Sequence, residues 1–223
     1  DNPLMTESGQ TEIMSICNQY AFSIPSLTGD CFMQAPFWKA SNNDQCDRLK
    51  CDFKAIAESC GKIGIEFIVV PLVDGGCLEN AQQENSLVEF LLEEENRFRE
   101  IDVRVIFESD FHPLELKRFI SRLPFGTFGI NYDTGNSASL GLNPFEEFEA
   151  FGDRILNVHL KDRILGGASV PIGQGNVDFN NVFSLLESCH YDANYILQTA
   201  RARDGQHAKL LSKYKKYFQN WNN

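Results

Sequence analysis

The sequence is poor in positive charge and has no long apolar run. Lys and Arg number 20 against 31 Asp and Glu, which gives a net charge of −11. Because such an excess of negative charge repels phosphate backbones, nucleic acid is not expected as a partner. Every apolar stretch falls short of the roughly 20 residues that a membrane-spanning helix needs. A membrane partner is therefore not expected either.

The sequence also lacks two common motifs for metal and phosphate. Its seven cysteines form no CxxC pair, so a zinc cluster is not supported. Free thiols in a reducing compartment are the expectation, which places the protein in the cytoplasm. Gly173-Gln-Gly175 lacks the following Gly-Lys-Ser/Thr of a phosphate loop, and it predicts a turn.

Strand-like and helix-like stretches alternate along the chain, which predicts an α/β fold with a parallel sheet. The helices carry apolar residues at steps of three and four, and the strands are apolar almost throughout. The expected strands are Tyr20–Leu27, Ile65–Pro71, Val103–Glu108, Gly129–Asp133, Ile155–His159 and Asn194–Gln198. The expected helices are Thr6–Gln19, Asp44–Ile63, Gln82–Arg99, three that follow Pro113, Pro144 and Asp178, and Gln206–Trp221.

The number of strands bears on the architecture. No low-complexity linker divides residues 1–223, so a single domain is predicted. Six strands are found, whereas a closed TIM (β/α)8 barrel has eight. The first helix precedes the first strand, and we therefore predict a partial barrel in which about two strands precede Asp1. The alternative is an open, doubly wound sheet of six strands.

Four consecutive strands end in a polar side chain that can bind a metal. These residues are Glu108, Asp133, His159 and Gln198. Because the carboxyl ends of barrel strands converge on one mouth, four such ends predict one shared site. Oxygen-rich ligation with one imidazole suits a divalent ion such as Mn, Co, Mg or Zn.

Four motifs together resemble the xylose isomerase-like TIM barrel superfamily. They are similar in particular to its sugar phosphate isomerase/epimerase group, over about residues 23–201. The motifs are Asn131-Tyr-Asp-Thr-Gly-Asn136, Val158-His-Leu-Lys-Asp162, Val170-Pro-Ile-Gly-Gln-Gly-Asn-Val-Asp-Phe179 and Ile196-Leu-Gln-Thr-Ala-Arg201.

The resemblance implies a divalent metal held by Glu, Asp, His and Glu. The matching positions are Glu108, Asp133, His159 and Gln198, so the fourth is an amide here. It also implies that the first and last of these residues exchange a proton with the carbon beside a sugar carbonyl. Glu108 and Gln198 thus occupy the catalytic positions, although an amide does not carry a proton at neutral pH. Asn136 stands where a substrate-contacting histidine is common.

The resulting hypothesis is a metal-dependent isomerase or epimerase that acts on a sugar or sugar phosphate. Whether the protein forms a homo-oligomer is left open. One alternative is a sugar-binding barrel without catalysis, and another is a dehydratase or lyase of a related polyol acid. A DNA-repair nuclease with three zinc ions fits worst, since the chain has four histidines. Beyond the four strand ends, the candidate substrate-binding residues are Asn136, Lys161, Arg163, Arg201 and His112. A surface salt-bridge cluster of Lys161, Asp162 and Arg163 is the competing interpretation.

Overall fold

The computed structural model describes residues 2–219, which divide into two compact units. The first unit extends to Ser109 and includes Phe119–Gly129, and the second comprises Asp110–Arg118 and the residues from Ile130. Within the described residues, no helix combines the length and the apolar character that crossing a bilayer requires. The α-helices are α1 Glu7–Tyr20, α2 Asp30–Gln34, α3 Asn43–Ile63, α4 Ala81–Glu100, α5 Pro113–Ile120, α6 Thr134–Leu140, α7 Pro144–Phe151, α8 Phe179–Ser188 and α9 His207–Gln219.

The first unit contains three parallel strands, β1 Ser26–Thr28, β2 Phe67–Leu72 and β3 Arg104–Ser109. All six residues of β2 are buried, as expected for a parallel strand that is covered on both faces. Its core is aromatic: the ring of Phe53 stacks on Phe32 at 4.3 Å and meets the edge of Phe90 at 5.4 Å.

The two long helices of this unit have clear start and stop signals. Asn42 caps α3 by accepting a hydrogen bond from the Gln45 amide, and Asn80 caps α4 in the same way. Helix α3 ends at Gly64, whose φ of 77° is open to glycine without a steric penalty.

The second unit contains the last part of β4 together with the strands that follow it. Strand β4 is Phe128–Asp133, and it pairs in parallel with β5, Ile155–Leu160, which in turn pairs with β8, Asn194–Leu197. A short antiparallel hairpin follows β5 and consists of β6, Asp162–Arg163, and β7, Ser169–Val170.

The predicted alternation of helices with parallel strands is confirmed, and the errors lie at short elements. The strand predicted at Tyr20–Leu27 is wrong in its first part, because α1 continues through Tyr20 and ends at Ala21 in the left-handed region. Helices α2 and α6 and the hairpin were not predicted. The last helix ends at Gln219 within the described residues, and Trp221 lies outside them. The single-domain interpretation stays a prediction.

Candidate metal and substrate site

The pairing register of the second unit brings polar residues of three strands to one face. Asp133 pairs with His159, and His159 pairs with Ile196. Because side chains alternate along a strand, Gln198 lies on the same face as Ile196, just after β8 ends. Asp133 and His159 are 5% and 2% exposed. Three of the four predicted strand-end residues therefore share one face.

The two oxygens of Asp133 have different partners. Oδ1 accepts a hydrogen bond from the Asn136 amide at 2.8 Å and caps the N-terminus of α6. Oδ2 lies 3.9 Å from His159 Nδ1 and 2.9 Å from Lys161 Nζ. One oxygen therefore stabilises the helix, and the other faces the imidazole.

A second polar layer lies two residues before this one, formed by Asn131, Asn157 and Asn194 in register. Asn157 is completely buried, and its Nδ2 donates to Asn131 Oδ1 at 2.6 Å. Its Oδ1 is buried and accepts no hydrogen bond from the described part of the chain. This layer was not predicted from the sequence. The signal was present as an asparagine two positions before Asp133 and before His159.

Gln198 continues the ladder of the sheet beyond the end of β8. Its amide donates to the Leu160 carbonyl at 3.1 Å. The side-chain Oε1 is buried and accepts no hydrogen bond from any described residue. Leaving a buried acceptor without a partner costs about 1–3 kcal/mol, so a donor or a cation is expected at this oxygen. A metal ion meets that requirement.

Glu108 is the penultimate residue of β3 in the first unit. It pairs with Pro71 of β2 and is 7% exposed. Carboxylates are rarely this buried without a partner or a function. The predicted strand thus extends one residue further than expected, to Ser109, and Glu108 remains at its carboxyl end.

Lys161 is bound by three residues of the segment Asp133–Asn136, and its stem passes over the fourth, Gly135. Its Nζ contacts Asp133 Oδ2 at 2.9 Å and Asn136 Oδ1 at 3.5 Å. Thr134 Oγ1 donates to the Lys161 carbonyl at 2.6 Å and accepts from the Lys161 amide at 3.0 Å. At Gly135 a Cβ atom would lie 2.8–3.0 Å from the Lys161 side chain, so the lysine stem lies directly over this glycine.

The salt-bridge interpretation of residues 161–163 is wrong for Asp162 and Arg163. Asp162 is 1% exposed, and its carboxylate accepts from the amides of Gly173, Gly175 and Val177 at 2.8, 2.9 and 3.3 Å. Among residues 2–219, Arg163 donates to neutral oxygens alone: Asn136 Oδ1 at 2.8 Å and the Gly167 carbonyl at 2.9 and 3.1 Å. The predicted turn at Gly173 is confirmed, with a φ of 84°.

Two predicted substrate residues lie outside this cluster of contacts. His112 is exposed, and its carbonyl accepts from the Glu115 and Leu116 amides at the start of α5. Arg201 is exposed in the loop after β8. Among the described residues, neither side chain hydrogen-bonds to Asp133, His159 or Lys161. Their role in binding stays a prediction.

A buried acid lies on the opposite face of β4, behind the candidate site. Glu147 of α7 accepts hydrogen bonds from Tyr132 Oη at 3.0 Å and from Ser137 Oγ at 2.5 Å. Burial raises the pKa of Glu147 to about 7, although both hydrogen bonds act in the opposite direction. This group connects β4, α6 and α7, the elements that carry and follow Asp133.

The sequence profile described as "Xylose isomerase-like TIM barrel" matches residues 2–217. The chain belongs to this family. No curated protein matches the chain by sequence.

Solved structures show the same fold over nearly the whole chain. A xylose isomerase domain protein from Planctomyces limnophilus has a TM-score of 0.79 at 16% identity, covering 97% of this chain and 84% of its own. A D-tagatose 3-epimerase-like protein has a TM-score of 0.74 at 20% identity, covering 98% and 85%. The 3-keto-D-glucoside 4-epimerase from E. coli also has a TM-score of 0.74, at 14% identity, covering 96% and 86%.

Two of the similar structures have been solved with metals, and the first is described as a xylose isomerase-like TIM barrel protein. One from Mycobacterium smegmatis, in complex with magnesium, has a TM-score of 0.72 at 13% identity, covering 97% of this chain and 78% of its own. The IOLI protein, with a bound zinc atom, has a TM-score of 0.71 at 14% identity, covering 95% and 92%.

Proposed function

We propose that this member of the xylose isomerase-like TIM barrel family is a metal-dependent isomerase or epimerase that acts on a sugar or sugar phosphate. The observation that carries the proposal is the pairing of Asp133 and His159 at one level of neighbouring parallel strands, with a carboxylate oxygen facing an imidazole nitrogen at 3.9 Å. The sugar epimerases among the similar structures support the same class of reaction.

Glu108, Asp133, His159 and Gln198 would hold the metal. Glu108, Asp133 and His159 are buried, and they offer two carboxylates and an imidazole. Gln198 adds a buried amide oxygen that lacks a hydrogen-bond donor among the described residues. In a TIM barrel the carboxyl ends of the strands converge, which is the basis for including Glu108 from β3. The donor set suits Mn, Co, Mg or Zn.

Of the two proposed catalytic positions, Glu108 supplies a proton-transfer group and Gln198 does not. A divalent ion stabilises negative charge that develops on a sugar carbonyl oxygen. Glu108 removes the proton from the neighbouring carbon, and it is the base in this proposal. Gln198 binds through its oxygen but transfers no proton. One base can deliver the proton on the same face to the former carbonyl carbon, while a hydroxyl proton passes from the neighbouring oxygen to the former carbonyl oxygen. The residues therefore favour isomerisation over inversion at the first carbon.

The proposed substrate-binding residues are Asn136, Lys161, Arg163, Arg201 and His112. Lys161 and Arg163 are half-buried cations next to Asn136, and they are suited to bind a hydroxyl, carboxylate or phosphate oxygen. His112 and Arg201 belong to exposed loops of the same unit and would contact the more distant part of the substrate. A cytoplasmic location and a homo-oligomer stay predictions.

A sugar-binding protein without catalysis is the second candidate, and Gln198 is the observation that favours it. An epimerase needs an acid or base on each face of the planar intermediate, and position 198 does not supply the second. A dehydratase or lyase of a polyol acid needs only one base and is a third candidate.

Solvent exchange tests the proposal. The metal-loaded protein is incubated in heavy water with a panel of ketoses, aldoses and their phosphates, and deuterium beside the carbonyl is measured by NMR. Exchange is expected with at least one sugar and should be abolished in Glu108→Gln. Glu89→Gln, which changes an exposed carboxylate on α4, is the matched control and should exchange normally. Sugar binding without any exchange would instead support the binding protein.

A further inference from the structure

Lys161 occupies the oxygen that the metal proposal requires. Asp133 Oδ1 caps α6, and Oδ2 lies 3.9 Å from His159 Nδ1. Lys161 Nζ lies 2.9 Å from this same Oδ2. An ammonium and a divalent ion bring three positive charges to one carboxylate oxygen, and they repel each other strongly in a buried setting.

The position of Lys161 is specified by its surroundings. Thr134 hydrogen-bonds both its carbonyl and its amide, at 2.6 and 3.0 Å. Gly135 leaves the space through which the lysine stem passes. Asp133 and Asn136 then face the ammonium. Three residues of one four-residue segment thus bind this lysine, and the fourth leaves room for its stem, so the contact is not that of a mobile surface side chain.

The low negative charge of the proposed ligands increases the effect of Lys161 on metal binding. With an amide at position 198, the proposed ligands carry two negative charges, those of Glu108 and Asp133, and Lys161 compensates one of them. A single ammonium therefore neutralises half of the charge that would attract a divalent ion.

We infer that Lys161 is an internal counterion of the site, which a divalent metal must displace from Asp133 before it binds. The inference rests on the proposed function for the identity of the ligands. Metal entry releases the ammonium from Asp133, and the freed lysine is then available to a substrate oxygen. Lys161 is in this sense a positioning residue that sets the metal affinity.

Isothermal titration of the metal-free full chain with manganese chloride tests the inference. Lys161→Met keeps the apolar stem and removes the charge, so it should bind manganese at least about tenfold more tightly than the wild type. Lys213→Met removes a charge from an exposed position on α9 and should leave the affinity unchanged.

Gly135→Ala provides a second variant that keeps the lysine. The added Cβ displaces the stem of Lys161, so manganese affinity should rise by a smaller factor. Circular dichroism and the unfolding temperature establish that each variant is folded.

The outcomes separate this inference from the proposed activity. Equal or weaker manganese binding in Lys161→Met, with binding retained in the wild type, would overturn the counterion role and leave the metal site standing. Absence of binding in every variant would overturn both. Tighter manganese binding in Lys161→Met, together with a metal-loaded wild type that exchanges deuterium on no sugar, would support the counterion and reject the enzyme.

Discussion

At the scale of the single residue, Gln198 limits which reactions the proposed site can catalyse. Its oxygen is buried without a donor among the described residues, which suits a metal ligand. Its amide removes one negative charge and one proton-transfer group relative to a glutamate. The same residue therefore supports metal binding and argues against inversion at carbon.

Replacing Gln198 with glutamate should add both a negative charge and a second proton-transfer group to the site. Gln198→Glu is expected to bind manganese at least about tenfold more tightly, because a carboxylate adds a full negative charge at the ligand oxygen. Titration calorimetry measures the affinity, and deuterium exchange shows whether epimerisation appears. Gln174→Glu adds the same charge on an exposed turn and serves as the control. An unchanged affinity in Gln198→Glu would contradict the assignment of residue 198 as a ligand.

The carboxylate of Asp162 orders the loop formed by residues 173–177. Three backbone amides of the segment 173–177 donate to it, and it is 1% exposed. Asp162→Ala leaves these donors without their acceptor and should lower the free energy of unfolding by about 3 kcal/mol. Asp178→Ala, which removes the cap of α8, should cost about 1 kcal/mol. Urea unfolding compares the two, and a cost no greater at residue 162 would refute this account of the loop.

At the scale of elements, α6 and α7 are connected behind the site by a buried acid. Glu147 holds Tyr132 of β4 and Ser137 of α6 through one oxygen. Asp133, which follows Tyr132, caps α6. The packing of these elements thus depends on a group whose pKa is raised to about 7 by burial.

The stability of the protein should consequently fall as this acid ionises. Because the pKa is higher in the folded than in the unfolded state, the contribution is complete below about pH 4.5 and is lost as the pH rises through about 7. The loss is expected to reach about 3 kcal/mol. The side chain in Glu147→Gln stays neutral, so this variant should not lose stability over that pH range. Glu146 is exposed, and Glu146→Gln should behave as the wild type. Urea unfolding across this pH range is the measurement, and parallel curves for wild type and Glu147→Gln would contradict the prediction.

The sequence predicted the long helices well and missed the two shortest ones, α2 and α6. Helices α3 and α4 have 21 and 20 residues, so their apolar spacing repeats over several turns. Helix α2 has five residues and α6 has seven, which is too short for such a repeat. Asp133 and His159 were predicted to share a site because strand ends in a parallel sheet meet at one edge. The roles of Lys161 and Asp162 depend on tertiary contacts with residues 133–136 and 173–177, which no local pattern encodes.

At the scale of the whole molecule, the proposed ligands belong to both compact units. Glu108 is part of the first, and Asp133 and His159 are part of the second. Metal binding that uses all three should stabilise both units by the same linkage. Hydrogen exchange with and without manganese should therefore show greater protection in β3 as well as in β4 and β5. In Glu108→Gln the gain in β3 should disappear, and protection confined to the second unit in the wild type would exclude Glu108 as a ligand.

The two oxygens of Asp133 have different roles, and this affects how related sequences are interpreted. One of its oxygens closes the first turn of a helix, a task that remains even when no reaction takes place. A descendant that lost its chemistry would still be under pressure to keep this aspartate. The presence of the Asp-Thr-Gly motif is therefore weak evidence for activity. A glutamate at position 108 and a histidine at position 159 cap no helix, so their presence indicates activity better.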